Sequence, residues 1–235
     1  MGAEANASYQ DELLDRVLSA ERRLAQRALA RRSASSLLDL ANAAAARLDD
    51  LIRRHPAPVG ERPVCRAGCS WCCHVLVAVA APEAIAIAHH IQNEMPAEAS
   101  AMLAAATVEL DERVHGLDAD ERAVRQLSCA FLVAGKCAIY PVRPLLCRGW
   151  NSLDVIACRE NYRQPDIMPV TVYALQRRLG VQVADGVDTA LSEAGLGGGT
   201  DLELTAAVRI ALEAPDAAER FLAGEPVFAP AKVGD

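Results

Sequence analysis

Residues 65–88 read CRAGCSWCCHVLVAVAAPEAIAIA, and their character changes at His74. The first half holds Cys65, Cys69, Cys72 and Cys73 with glycine and serine between them, a composition that favours a loop over a regular element. The second half is apolar apart from Glu83, and Pro82 interrupts it. Proline suits the first turn of a helix, and an acid beside it suits the helix's positive end. Residues 75–88 therefore read as a buried strand-like segment running into a core helix that ends near Asn93. The run is too short and too interrupted to match the ~20 apolar residues of a membrane span. A thiol-bearing loop leaning on a helical core is the unit from which the rest is read.

On the N-terminal side, Leu14, Val17, Leu18, Leu24 and Ala28 recur at helical spacing between Asp11 and Arg32. Ser36 to Asp39 reads as a capping box. Leu37, Ala41, Ala44, Leu48, Leu51 and Ile52 then mark a second amphipathic helix. These two helices form an arm over residues 10–55, suited to packing or to self-association. His55 to Gly60, HPAPVG, ends it. On the C-terminal side, helices fit 97–115 and 118–127, and 128–158 reads as irregular and proline-punctuated. Three or four short helices follow from Pro169, with LGGGT (196–200) as a turn before a helix near Asp201. The expected organisation is the arm, a cysteine-bearing domain over 60–160, and a helical region over 165–225. Aromatic residues are only 4% of the chain and alanine dominates, so the fold class is mainly α.

The net charge is −7, and Lys136 and Lys232 are the only lysines, which argues against a cationic face for nucleic acid or an anionic membrane. The N-terminus carries acids early and no apolar core of a secretory signal, so the expected location is cytoplasmic. With 235 residues the chain can bury a core without covalent staples. In a reducing compartment, dense cysteines point to metal or redox chemistry rather than disulfides.

Successive cysteines are separated by three, two, zero, 55, seven, nine and ten residues, ending at Cys129, Cys137, Cys147 and Cys158. Thiolates two or three residues apart in a loop can converge on one ion or cluster. Neighbours such as Cys72 and Cys73 project in different directions, so the pair can serve one centre or two. All eight cysteines are candidate metal ligands, and His74 is a candidate ligand or supporting donor. CRAGCSWC also fits the C-x₃-C-x-aromatic-C pattern of radical S-adenosylmethionine enzymes, with Trp71 in the aromatic place. Those enzymes need repeated strand and helix units, whereas this chain reads as helix after helix. No GxSxG or HExxH pattern is present.

Cys129-Ala-Phe131-Leu132, Gly135-Lys-Cys137-Ala-Ile139-Tyr140 and Arg143-Pro144-Leu-Leu-Cys147-Arg148 follow the first cysteine group. With it, they resemble the cysteine-cluster family described as a zinc- or iron-chelating domain, over about residues 60–160. This chain has one extra residue between Cys65 and Cys69. The resemblance implies metal binding, and one branch of the family resembles flagellin lysine N-methylases, which implies protein methylation as the alternative use. Arg143 and Arg148 are permanent cations suited to offsetting thiolate charge, and Tyr140 to orienting a ligand. Pro141 and Pro144 suit the turn that aims Cys137 and Cys147 inward. Sulfur ligation is compatible with zinc and iron, and the ferredoxin-like spacing tilts the reading toward iron or an iron–sulfur cluster. A protein substrate and self-association through the N-terminal helices are the candidate partners.

Overall fold

Two amphipathic helices, α1 (Gly2–Leu29) and α2 (Ala34–Arg54), open the chain in the computed structural model, which describes residues 2–197 and 199–233. The cap of α2 is Ser33 rather than Ser36. Ser33 is extended, its hydroxyl accepts the Ser36 N–H at 3.2 Å, and the Ser36 hydroxyl accepts the Ser33 N–H. Next come β1 (Ala78–Val79), α3 (Ala81–Asn93), α4 (Ala97–Val114) and α5 (Ala119–Arg125). Pro82 lies in the first turn of α3 as its sequence position predicts, Pro96 caps α4, and the Asp118 side chain caps α5.

The stretch 128–158, read as irregular, contains regular pieces. A hairpin of β2 (Leu132–Val133) and β3 (Lys136–Cys137) leads into α6 (Leu145–Gly149) and then α7 (Val155–Arg163). Short helices were expected after Pro169, but α8 (Ala174–Glu193) runs for 20 residues. The turn expected at 196–200 includes Gly198, which lies outside the described residues. After it come β4 (Leu202–Glu203), α9 (Leu204–Glu213) and α10 (Ala217–Leu222). β4 pairs antiparallel with β1, Val79 opposite Leu202, and so ties the chain's C-terminal quarter to the start of α3. The fold is mainly α, and no described helix is long and apolar enough to cross a membrane.

One hydrophobic core draws on all three expected regions. Leu14, Leu37 and Leu48 come from the first two helices, Ile87, Phe131, Ile139 and Leu145 from the middle, and Leu179, Leu191 and Phe221 from the end. The apolar face of α1 is used inside the chain, where it packs along α8.

Glycines set the crossings on α8. A Cβ on Gly180 would lie 2.8 Å from the Gly149 Cα, so α6 and α8 meet backbone to backbone. A Cβ on Gly186 would lie 2.7 Å from the Glu21 Cβ, where that buried acid pairs with Arg47 of α2. At the other side of α6 sits Glu83, a buried carboxylate. It accepts the Ala80 N–H at 2.9 Å and the Leu145 N–H at 2.8 Å. One side chain thus caps the beginnings of both α3 and α6.

Two expectations follow. Gly180→Ala should destabilise the fold by about 1–3 kcal/mol, the usual cost of overpacking, while Gly60→Ala, with open space around it, should leave the melting temperature unchanged. Equal melting of both variants would contradict the crossing. Burial raises the Glu83 pKa, against the two N–H groups and the Arg148 charge that lower it. The folded state therefore holds the proton more tightly than the unfolded chain, and stability should fall as pH rises from the ordinary carboxylate range through the raised value. Glu83→Gln should remove that slope in pH-dependent melting, while costing about 1–3 kcal/mol for the N–H left without an acceptor. A variant with the parent's slope would exclude Glu83 as its source.

Candidate metal centre

The first cysteine loop is built from two successive turns. Cys69 N–H donates to the Arg66 carbonyl and Cys73 N–H to the Ser70 carbonyl, each at 2.9 Å. Gly68 takes the left-handed conformation (φ 88°) that the first turn requires. The loop is fixed at its start by Val64 N–H to the Ser152 carbonyl, 2.8 Å. Ser152 is itself held in place because its neighbour Asn151, fully buried, exchanges hydrogen bonds with Tyr173 at the start of α8. Helix α7, capped by the Asp154 carboxylate, brings Cys158 to the same place. Its Tyr162 packs against Trp71 and His74, with ring centroids 5.4 and 4.5 Å away.

The second cysteine segment joins the loop from the opposite side. Cys129 N–H donates to the Cys73 carbonyl at 2.7 Å. The β2–β3 hairpin then turns through Ala134 and Gly135, both at positive φ, and sets Cys137 opposite Leu132. Ala138 N–H to the Phe131 carbonyl, 2.8 Å, continues the pairing. A single 3₁₀ turn at Tyr140–Val142 and Pro144 lead into α6, which carries Cys147. Glu83 fixes the start of that helix and Gly180 its back.

The thiols perturb one another in a pattern that follows this backbone. Burial raises Cys65, and the Cys69, Cys72 and Cys158 thiols raise it further, while a Ser152 backbone hydrogen bond opposes them. Burial raises Cys158 as well, with the Ser152 hydroxyl opposing and Cys69, Cys72 and Asp154 adding. Cys129 is pushed up to about 11, mainly by burial, with Cys137 adding and Arg122 opposing. Burial pushes Cys147 higher still, followed by Cys129, Cys72 and Cys137. Cys137 rises through burial, against the charges of Arg143 and Arg148. Cys72 is exposed as a residue, yet its sulfur is raised strongly, first by a hydrogen bond with the Cys73 thiol and then by its own burial within the loop. The raised values favour the protonated thiols, and a binding cation would have to displace those protons.

The candidate supporting residues divide. Arg148 is buried, but its guanidinium donates to the Arg143 and Pro141 carbonyls and to the Asp49 carboxylate. It braces the loop and reaches Cys137 by charge alone. Arg143 lies over the Tyr140 ring at 3.8 Å, and its buried Nη1 has no hydrogen-bond partner. Tyr140 is 61% exposed. His74 places Nδ1 3.4 Å from the Trp71 carbonyl and its ring on Tyr162, so it packs the loop against α7. The sequence reading did not single out Arg122, which is 3% exposed, leaves its Nε unpartnered, and stands beside Cys129 and Glu203. Its place as a buried cation on a short helix full of charges, ADERAVR, left no local signal.

All eight cysteines are free, and backbone hydrogen bonds bring the two cysteine segments together. Among the described residues, no three or more His, Cys, Asp or Glu side chains stand in an arrangement that holds an ion as it is. The thiols are gathered rather than caged, and some engage hydrogen-bond partners such as Ser152. The donor chemistry fits a thiophilic ion: soft sulfur donors, buried cations to offset their charge, and an orphaned guanidinium nitrogen beside them. Cys65, Cys69, Cys72, Cys73, Cys129, Cys137, Cys147 and Cys158 are the residues that would hold it. No curated protein and no solved structure matches the chain. Residues 64–165, which contain every cysteine, match the CxxCxxCC family model, described as "Putative zinc- or iron-chelating domain".

Proposed function

We propose that the protein binds iron through its clustered cysteine thiolates, as an iron–sulfur centre, with zinc as the competing ion. The observation that carries this reading is the hydrogen bond from Cys129 N–H to the Cys73 carbonyl. It closes a gap of 55 residues and brings the two cysteine segments together. The family match supports chelation of zinc or iron in general. The C-x₃-C-x₂-C spacing of Cys65, Cys69 and Cys72 supports iron–sulfur over zinc, since such closely spaced thiolates in a loop suit a cluster. When bound, the centre replaces thiol protons with metal charge and crosslinks the loops to α6 and α7, which adds binding energy to stability. A reducing compartment such as the cytoplasm suits eight free thiols.

Lysine methylation is not adopted. Two shallow hollows among the described residues are lined by Gln26, Ala190 and Leu222 and by Arg32, Ser33 and Ala223, and no specific observation favours the methylation reading.

Anaerobic purification followed by metal and acid-labile sulfide analysis tests the proposal. Iron together with sulfide, in a coloured protein, is the expected result. A colourless protein holding zinc would overturn the iron reading while keeping chelation, and a protein that neither carries nor takes up either metal would overturn both.

A further inference from the structure

The net charge of −7 hides how charge is distributed along the chain. No acid occurs between Glu61 and Glu83, the run that holds Cys65 to Cys73, or between Glu121 and Asp154, the run that holds Cys129, Cys137 and Cys147. The first run carries Arg62 and Arg66, and the second Arg122, Arg125, Lys136, Arg143 and Arg148. Cys129 N–H on the Cys73 carbonyl brings the two runs together, so a separation of charge in sequence becomes one in space.

Burial and pairing divide these cations. Arg148 is buried and paired with Asp49, and Arg122 is buried with Glu203 beside it. The other five reach the surface: Arg62, Arg66, Arg125 and Lys136 are exposed, and Arg143 is half-buried. No ion pair among the described residues includes any of them, although the helices pair arginines with acids elsewhere, as at Arg47–Glu21 and Arg209–Asp111.

At either end of α6 an arginine is held on an aromatic ring. Arg143 lies over Tyr140 at 3.8 Å, and Arg177, exposed in the first turn of α8 and likewise without an ion pair among the described residues, lies over Trp150 at 4.2 Å. Tyr140 is 61% exposed and Trp150 36%. With five residues α6 is about 8 Å long, so one extended segment can span both stacks. Arg148, donating to the Pro141 and Arg143 carbonyls, fixes the turn that carries the first stack. A guanidinium already resting on a ring has lost part of its freedom before a partner arrives and keeps donors for a carboxylate. The same segments leave aliphatic side chains open, among them Val64, Val133, Val155 and Ile156. Arginine, tyrosine and tryptophan beside exposed aliphatic groups suit a protein partner, whereas a polynucleotide would leave the aliphatic groups unused.

We infer that the surface around α6, with the Tyr140–Arg143 and Trp150–Arg177 stacks at its ends, docks a carboxylate-rich segment of a partner protein beside the thiols. The inference goes beyond chelation and does not depend on it. The arginines meet the partner's carboxylates, and the two rings meet apolar side chains between them.

Fluorescence anisotropy of the full chain, reduced and without added metal, tests the surface with a labelled peptide of alternating glutamate and leucine. The peptide should bind, more weakly as salt rises, and its glutamine–leucine counterpart should not. Arg143→Gln and Arg177→Gln should each weaken binding about fivefold. Lys136→Gln, at the exposed hairpin, should weaken it as well, and covers the case in which Arg143→Gln fails to fold. Arg23→Gln removes the same charge from an exposed position on α1 and should leave binding unchanged. No binding of the peptide, or equal weakening by Arg23→Gln, would overturn the inference. So would tighter binding of a single-stranded RNA, or self-association in sedimentation that the Arg143 and Arg177 variants abolish, since the occupant would then be a nucleic acid or a second copy of the chain. Metal content bears on chelation alone, so the two readings fail separately.

Discussion

The Glu83 carboxylate, buried between two helix beginnings, is the constraint on which the cysteine architecture depends. Its two oxygens accept N–H groups from Ala80, three residues before it, and from Leu145, 62 residues after it. An uncapped helix start leaves donors without partners, and inside a core that is expensive. By satisfying one donor on each of α3 and α6, Glu83 fixes the second helix relative to the first. The glycine contact at Gly149 and Gly180 then presses α6 onto α8. Cys147 rides on α6, so its place is set by a carboxylate and two missing side chains, none of which hydrogen-bonds to a cysteine side chain. The same logic extends through Asn151, which clasps the chain after α6 to the start of α8 and so positions Ser152, the anchor of the first cysteine loop.

The loops borrow their rigidity from this scaffold. The thiols lie in turns and at short elements, where little apolar area is buried, while the large side chains Phe131, Ile139 and Leu145 between them anchor the same segment in the core. Alternation of cysteine and anchor explains why a proline-punctuated stretch holds a definite shape. Arginines stand beside this segment, Arg122 near Cys129 and Arg143 and Arg148 near Cys137.

Much of this was legible in the sequence where the signal was local. Pro82 starts a helix because a fixed φ acts within a few residues, and the helices read over 97–115 and 118–127 are found as α4 and α5. The cysteine spacing disclosed the thiol set, and the segment from Cys129 to Arg148 carried the resemblance that the family model also finds over residues 64–165. Ser33 was missed as a cap because Ser36, three residues on, offers the same chemistry. The length of α8 was not read from the sequence; Gly180 and Gly186 lie inside it and are the contact points that let α6 and α1 approach. The β1–β4 pairing, the Glu83 bridge and the burial of Arg122 involve partners far apart in the chain, so no window of the sequence contains them.

The central claim is that sulfur from both cysteine segments ligates the metal. X-ray absorption at the edge of the bound metal, in protein purified without oxygen, tests it most directly. The account predicts a first coordination shell of sulfur alone, about four per metal at ~2.3 Å. A shell dominated by nitrogen or oxygen would contradict it.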